Sequence, residues 1–79
     1  MAIRIRFFAS FREQVGYSEK SIPAQGLATV SDVLDALDEA KTLPDTMLYA
    51  VNMQYANRKT PVRDGDEVAF FPPVTGGSS

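Results

Sequence analysis

The hydrophobic pattern changes period along the chain, and each change marks an element. Ile3-Arg4-Ile5-Arg6-Phe7 alternates apolar and polar residues, as a strand with one buried face does. Ile3, Ile5 and Phe7 take the core parity. Arg4, Arg6 and Phe8 point away, so Phe8 is an aromatic residue of the outward parity. Ser10-Phe11-Arg12-Glu13 has the spacing of a capping box, Phe11 and Val15 share a helical face, and Gly16 suits a left-handed closing residue. One or two helical turns are expected there. Ser18 to Pro23 reads as a weaker strand with Ile22 as its clear core residue, paired antiparallel with the first.

Thr29, followed three residues later by Asp32, opens the main helix. Val30, Val33, Leu34 and Leu37 recur at helical spacing, Ala40 extends the stripe, and the helix should stop before Leu43-Pro44. Met47 to Val51 is a third strand. Asn52-Met53-Gln54 begins a turn and Tyr55 follows it. Asn57 to Pro61 is polar and turn-rich, with Val62 anchoring a short edge piece. Asp64-Gly65 turns the chain into a last strand, Glu67 to Phe71. There Val68 and Phe70 take the core parity, while Glu67, Ala69 and Phe71 face outward. This order predicts an α+β roll, one helix over a small mixed sheet with the first and last strands parallel at its centre. Phe8 and Phe71 then share the outward face, with Tyr55 as a candidate neighbour. They form either an exposed docking patch or rings folded back over the sheet edge.

Composition narrows the function classes. Seventy-nine residues make one small domain. Eight Lys+Arg against 10 Asp+Glu give a net charge of −2, which argues against nucleic acid as the main partner and gives no reason to expect an anionic membrane. No apolar run approaches a membrane span, and no signal-peptide pattern opens the chain, so a cytoplasmic protein is expected. The chain has no Cys and no His. Disulfides, thiolate nucleophiles and zinc fingers are excluded, and the commonest general base is missing. Asp32, Asp35, Asp38 and Glu39 lie largely off the helix stripe and read as a solvated face rather than a metal site. Chemistry in such a chain must use a backbone group or a partner's residues.

The sequence after the last strand offers such a group. A domain over 1–71 is followed by an extended tail over 72–79. Pro72-Pro73 stiffens the root of the tail, and Val74-Thr75-Gly76-Gly77 can pack little core. A frayed terminus is the plain alternative. Against it, a Gly-Gly pair lacks Cβ atoms and can enter a slot too narrow for other residues.

The run Asp64-Gly65-Asp66-Glu67-Val68-Ala69-Phe70-Phe71-Pro72-Pro73-Val74-Thr75-Gly76-Gly77 resembles the closing signature of the small, sulfur-carrying subunit of molybdopterin synthase. Ile5-Arg6-Phe7-Phe8-Ala9, Phe11-Arg12-Glu13-Gln14-Val15-Gly16 and Leu48-Tyr49-Ala50-Val51-Asn52 agree with it. The resemblance implies the ubiquitin-like β-grasp fold and a non-catalytic carrier subunit whose active site lies in a larger partner. It implies that the Gly77 carboxylate is adenylated by a ubiquitin-activating-type adenylyltransferase, which uses the ATP. On this resemblance the isolated chain is expected to bind no cofactor and no metal, and to meet nucleotide only in that complex. The adenylate then becomes a thiocarboxylate. The tail, Pro72, Pro73, Val74, Thr75 and Gly76, enters the large synthase subunit, in an expected heterotetramer, and sulfur passes to cyclic pyranopterin monophosphate. Phe8, Tyr55 and Phe71 would be the docking residues.

Two serines depart from that pattern. The family ends at the second glycine, whereas Ser78-Ser79 follow Gly77 here. An amide at Gly77 cannot be adenylated. Either a protease removes the serines, or they are an artificial extension, or this chain has kept docking and lost the carrier role. Two other readings stand beside the resemblance. One is a related β-grasp carrier for thiamine, cysteine or tRNA thiolation, with a protein-conjugating modifier as a variant. The other is a non-catalytic ubiquitin-like interaction domain.

Overall fold

The computed structural model describes residues 2–44 and 46–73. Its elements are β1 (Ala2–Phe7), α1 (Ser10–Val15), β2 (Glu19–Pro23), α2 (Val30–Ala36), a 3-10 helix (Glu39–Thr42), β3 (Leu48–Val51), β4 (Gln54–Ala56) and β5 (Glu67–Phe71). The five strands form one sheet in the order β2-β1-β5-β3-β4. The pairs β1–β2, β3–β5 and β3–β4 are antiparallel, and β1 runs parallel to β5 with Ile5 opposite Val68 and Phe7 opposite Phe70. This is the mixed sheet of a β-grasp roll, with the first and last strands side by side and parallel, as expected from the element order.

The parity of β1 and β5 fixes which face of the sheet is dry. Ile3, Ile5, Phe7, Val68 and Phe70 are buried, and Val30, Val33 and Leu37 of the helical segment pack in the same cluster. Phe70 sits at its aromatic centre, with its ring centroid 5.8 Å from those of both Phe7 and Tyr49. Burying these side chains is the main favourable term for so small a domain.

The caps differ between the two helices. At α2 the expected box forms: Asp32 N donates to Thr29 Oγ1 at 3.3 Å, and Thr29 N donates back to Asp32 Oδ2 at 3.2 Å. At α1 it does not. Ala9 is the N-cap, Ser10 is already helical, and no side chain caps the turn. The chain must swing from Phe8, whose N–H still bonds to Phe70 O at 3.1 Å, to a buried Phe11 within three residues. Ala9 absorbs that swing at a φ of 57°. Gly16 closes the helix as expected, at a φ of 101°, with its N–H on Arg12 O at 3.0 Å.

Several expected boundaries are corrected, and the third strand, for one, begins at Leu48 rather than Met47. α2 ends at Ala36, short of the predicted stop before Leu43, because Leu37 is extended. Beyond it the chain bonds i to i+3: Leu37 N to Leu34 O, Ala40 N to Leu37 O and Leu43 N to Ala40 O, each 3.2 Å. Leu34, Leu37, Ala40 and Leu43 are all buried, and their spacing of three suits a 3-10 course better than an α-helix. The weak strand starts at Glu19 rather than Ser18. The edge strand is Gln54–Ala56, not a piece around Val62. Val62 is instead buried in a loop laid against the start of α2, its N–H on Ala28 O at 2.9 Å.

Candidate functional site

The outward face of the sheet is built by the same parity that builds the core. Register places Arg6 opposite Ala69, Ala69 opposite Ala50, and Ala50 opposite Tyr55, so one row crosses β1, β5, β3 and β4. Its two middle members are alanines, and their small side chains leave a depression. Phe8, Phe71, Tyr55 and Met53 rise around it, enclosing a hollow of about 310 Å³ lined also by Arg6 and Glu67. Tyr55 and Phe71 contact each other, with ring centroids 5.8 Å apart. Tyr55 is 78% exposed, Met53 89% and Phe8 40%.

The three aromatic residues singled out in the sequence thus line one hollow, and the rings are not folded away. Sequence reasoning missed Met53, Ala50 and Ala69 as parts of it. Ala69 had the right parity, but the depth of the hollow depends on two alanines meeting across strands, which no local pattern shows.

Its electrostatics are muted. Arg6 Nη1 lies 3.3 Å from Glu67 Oε2 across the parallel pair. Such a half-exposed ion pair contributes about 1 kcal/mol or less. The Arg6 guanidinium also stands 5.2 Å from the centroid of the Phe8 ring. Among the described residues, the buried Arg6 Nε meets no acceptor. No nucleophile stands beside a base in this lining.

Among the described residues no group of acidic side chains is placed to hold a metal. Of the four acids read as a solvated face, Asp32 caps α2, Glu39 Oε2 accepts from Lys20 Nζ at 2.8 Å, Asp38 lies 3.4 Å from Lys41, and Asp35 is exposed. No helix is long and apolar enough to cross a membrane among the described residues.

β5 ends in the wall of the hollow at Phe71, and the half-buried Pro72 and Pro73 follow it. Val74, Thr75, Gly76, Gly77, Ser78 and Ser79 lie outside the described residues.

Comparison with known proteins gives the kinship. The model of the ThiS family matches residues 5–77, nearly the whole chain. The chain belongs to the ThiS family. Within it, the chain is 41% identical to the molybdopterin synthase sulfur carrier subunit of Escherichia coli strain K12, over 95% of this chain and 99% of that protein. Its fold superposes on the crystal structure of small archaeal modifier protein 1 from Haloferax volcanii with a TM-score of 0.77, at 30% identity, over 92% of this chain and 98% of that one. It also matches a chain in the complex of subunits 1 and 2 of the molybdopterin-converting factor from Helicobacter pylori (TM-score 0.65, 26% identity, 98% and 100% covered). The resemblance read from the closing signature is therefore kinship with the sulfur carrier subunits, and the β-grasp fold of this ThiS-family chain is shared with its relatives.

Proposed function

We propose that this chain is the sulfur carrier subunit of a molybdopterin synthase. The observation that carries the reading is placement. An aromatic hollow on a rigid sheet ends, at Phe71, where the Pro-Pro root of a Gly-Gly tail begins. A partner that holds the hollow also sets the point from which the tail is launched. The match of the family model through residue 77 and the identity with the Escherichia coli carrier support the same reading.

The chemistry follows from what the chain lacks. With no Cys and no His, it supplies an acyl group and nothing else. A free carboxylate is a poor electrophile. Gly77 is therefore activated by an adenylyltransferase of the ubiquitin-activating type, whose ATP leaves AMP on the carboxyl and releases pyrophosphate. The outer sulfur of a partner's cysteine persulfide displaces AMP to give an acyl disulfide. A second thiol of the partner then attacks the cysteine sulfur, forming a disulfide with it and releasing the Gly77 thiocarboxylate. Phe8, Tyr55 and Phe71 then dock on the large synthase subunit while Pro72, Pro73, Val74, Thr75 and Gly76 reach into its active site. There Gly77 hands its sulfur to cyclic pyranopterin monophosphate. Both partners use one face, so loading and delivery alternate. Gly77 is loaded only as a free carboxylate, so the reading applies to the chain without Ser78-Ser79.

The similarity to an archaeal modifier protein favours one second reading, in which the same activated Gly77 passes to an amine of a target protein. Intact mass of the untagged protein from its native cells separates the two. A species ending at Gly77 with one oxygen replaced by sulfur supports the carrier. Conjugates joined through Gly77 support the modifier. A homogeneous species still ending in Ser79 refutes both.

A further inference from the structure

Among the described residues three non-glycines have positive φ, and all adjoin the hollow. Ala9 (57°) follows Phe8, and Asn52 (51°) and Met53 (69°) form the turn between β3 and β4. Val51 pairs with Gln54, so this hairpin has a two-residue loop with positive φ at both central positions. That turn favours Asn first and Gly second. Asn52 fits and is clamped to β5. Its N–H donates to Glu67 O at 2.8 Å, its Oδ1 accepts from Glu67 N at 3.0 Å, and its Nδ2 donates to Asp66 Oδ1 at 3.0 Å.

Met53 does not fit. A Cβ in the left-handed region is strained. No burial offsets the strain, because Met53 is 89% exposed. The free chain therefore gains nothing visible from a methionine where glycine suits the turn. Strain of this kind collects where a side chain is held ready for use.

We propose that Met53 is an affinity-determining docking residue, held on the rim of the hollow to grip the large synthase subunit. This rests on the carrier reading above and adds a residue to it. The occupant is argued from position. Met53 and Phe71 line the same hollow, and Pro72 leaves from Phe71, so the protein that receives the tail covers Met53 as well. The hollow's volume of about 310 Å³ suits one or two apolar side chains. It sits at the low end for a small-molecule site, and its one guanidinium is already paired with Glu67. An unbranched thioether closes over such a side chain without demanding one shape of it.

The test is titration calorimetry of the full chain ending at Gly77 against its cognate large subunit, with thermal unfolding in parallel. Met53→Gly is expected to weaken binding at least about fivefold, the loss of a peripheral contact beside a hot spot. Its Tm should rise by about 2–6 °C, since relief of strain outweighs the extra freedom of the unfolded chain. Met53→Leu, which keeps both the Cβ and the apolar reach, should bind like the parent. Parental affinity in Met53→Gly overturns the docking role, and a lowered Tm overturns the strain argument. Phe71→Ala, run alongside, separates the two levels. If it weakens binding while Met53→Gly does not, only the role of Met53 falls. If Phe71→Ala also binds normally, the docking reading falls with it.

Discussion

Tyr55→Ala separates folding from docking by the sizes of the two effects. In the free chain Tyr55 is 78% exposed on an edge strand of three residues. An aromatic side chain buries roughly 200 Å² when fully covered, so about 150 Å² of Tyr55 awaits a partner. At about 25 cal/mol per Å² the full transfer term is about 4 kcal/mol, an upper limit. Ordering of side chains and imperfect pairing of the hydroxyl take back part of it, leaving about 2 kcal/mol, or roughly a 30-fold change in Kd.

The folding side is smaller. Tyr55 gives up its contact with Phe71, rings 5.8 Å apart. Such a pair contributes about 0.5–1.5 kcal/mol, and on an exposed face the low end applies. For a domain of this size that lowers Tm by about 2–4 °C. The assay is calorimetric titration of the chain ending at Gly77 into the large subunit, beside thermal unfolding followed by circular dichroism. A Kd within threefold of the parent, with Tm unchanged, would refute the assignment of the hollow as the docking face. A fall in Tm beyond about 10 °C would show instead that Tyr55 holds the fold, against its exposure.

Ala69→Leu should fill the hollow from its floor and weaken large-subunit binding about tenfold or more, with Tm within a few degrees of the parent; normal affinity would mean that the depression receives nothing. Thr29→Ala removes half of the capping box far from the hollow, so it should lower stability by about 1 kcal/mol and Tm by about 4–8 °C while leaving affinity untouched. Chemical denaturation and the same titration check both halves. Gly76→Val, in a chain ending at Gly77, should be loaded or delivered poorly because the tail becomes wider next to the reacting carboxyl. Single-turnover sulfur transfer that proceeds at the parental rate would remove the narrow-slot argument.

The parts of the fold that were legible in the sequence are those where one face is dry and the other wet. β1 and β5 announce themselves because Ile3, Ile5, Phe7, Val68 and Phe70 are buried while their neighbours are not. Thr29 and Asp32 mark the start of α2 because the box is a local device. The end of α2 was hidden, since the spacing of Leu34, Leu37 and Ala40 fits an α-helical stripe nearly as well as a 3-10 course. The Ser10–Glu13 box failed for a tertiary reason: with Phe8 tied to Phe70, the turn is set by the sheet and not by the cap. β4 is three residues long with two of them exposed, so it carries no alternation to read. Of the candidate site, parity gave Phe8 and Phe71, and Tyr55 was named only from its place after the turn. The floor and Met53 needed the register of four strands, because alanine leaves no mark in a hydrophobic pattern and strain leaves none at all.

In the proposed carrier, docking and delivery share one end of the molecule because of β5. Its inward residues, Val68 and Phe70, are the fully buried centre of the core, and its outward residues, Ala69 and Phe71, are the floor and wall of the hollow. Register is locked on both sides, to β1 by Val68 opposite Ile5 and to β3 by Ala69 opposite Ala50. A slip by one residue would bring Phe71 inward, expel Phe70, and move the root of the tail by one residue, about 3.3 Å. The core therefore works as the ruler for the tail. The slip would turn Glu67 and Ala69 inward with Phe71 and turn Val68 out, so burying a carboxylate and losing a core valine, rather than losing an aromatic ring, would cost several kcal/mol, about 3–5 in all. That is comparable to the whole stability expected of a domain this small, on the order of 5 kcal/mol or less. The slipped chain would hardly fold. A chain that folds at all consequently holds the wall of the hollow and the Pro72-Pro73 segment in one fixed relation, as the carrier reading proposed above requires.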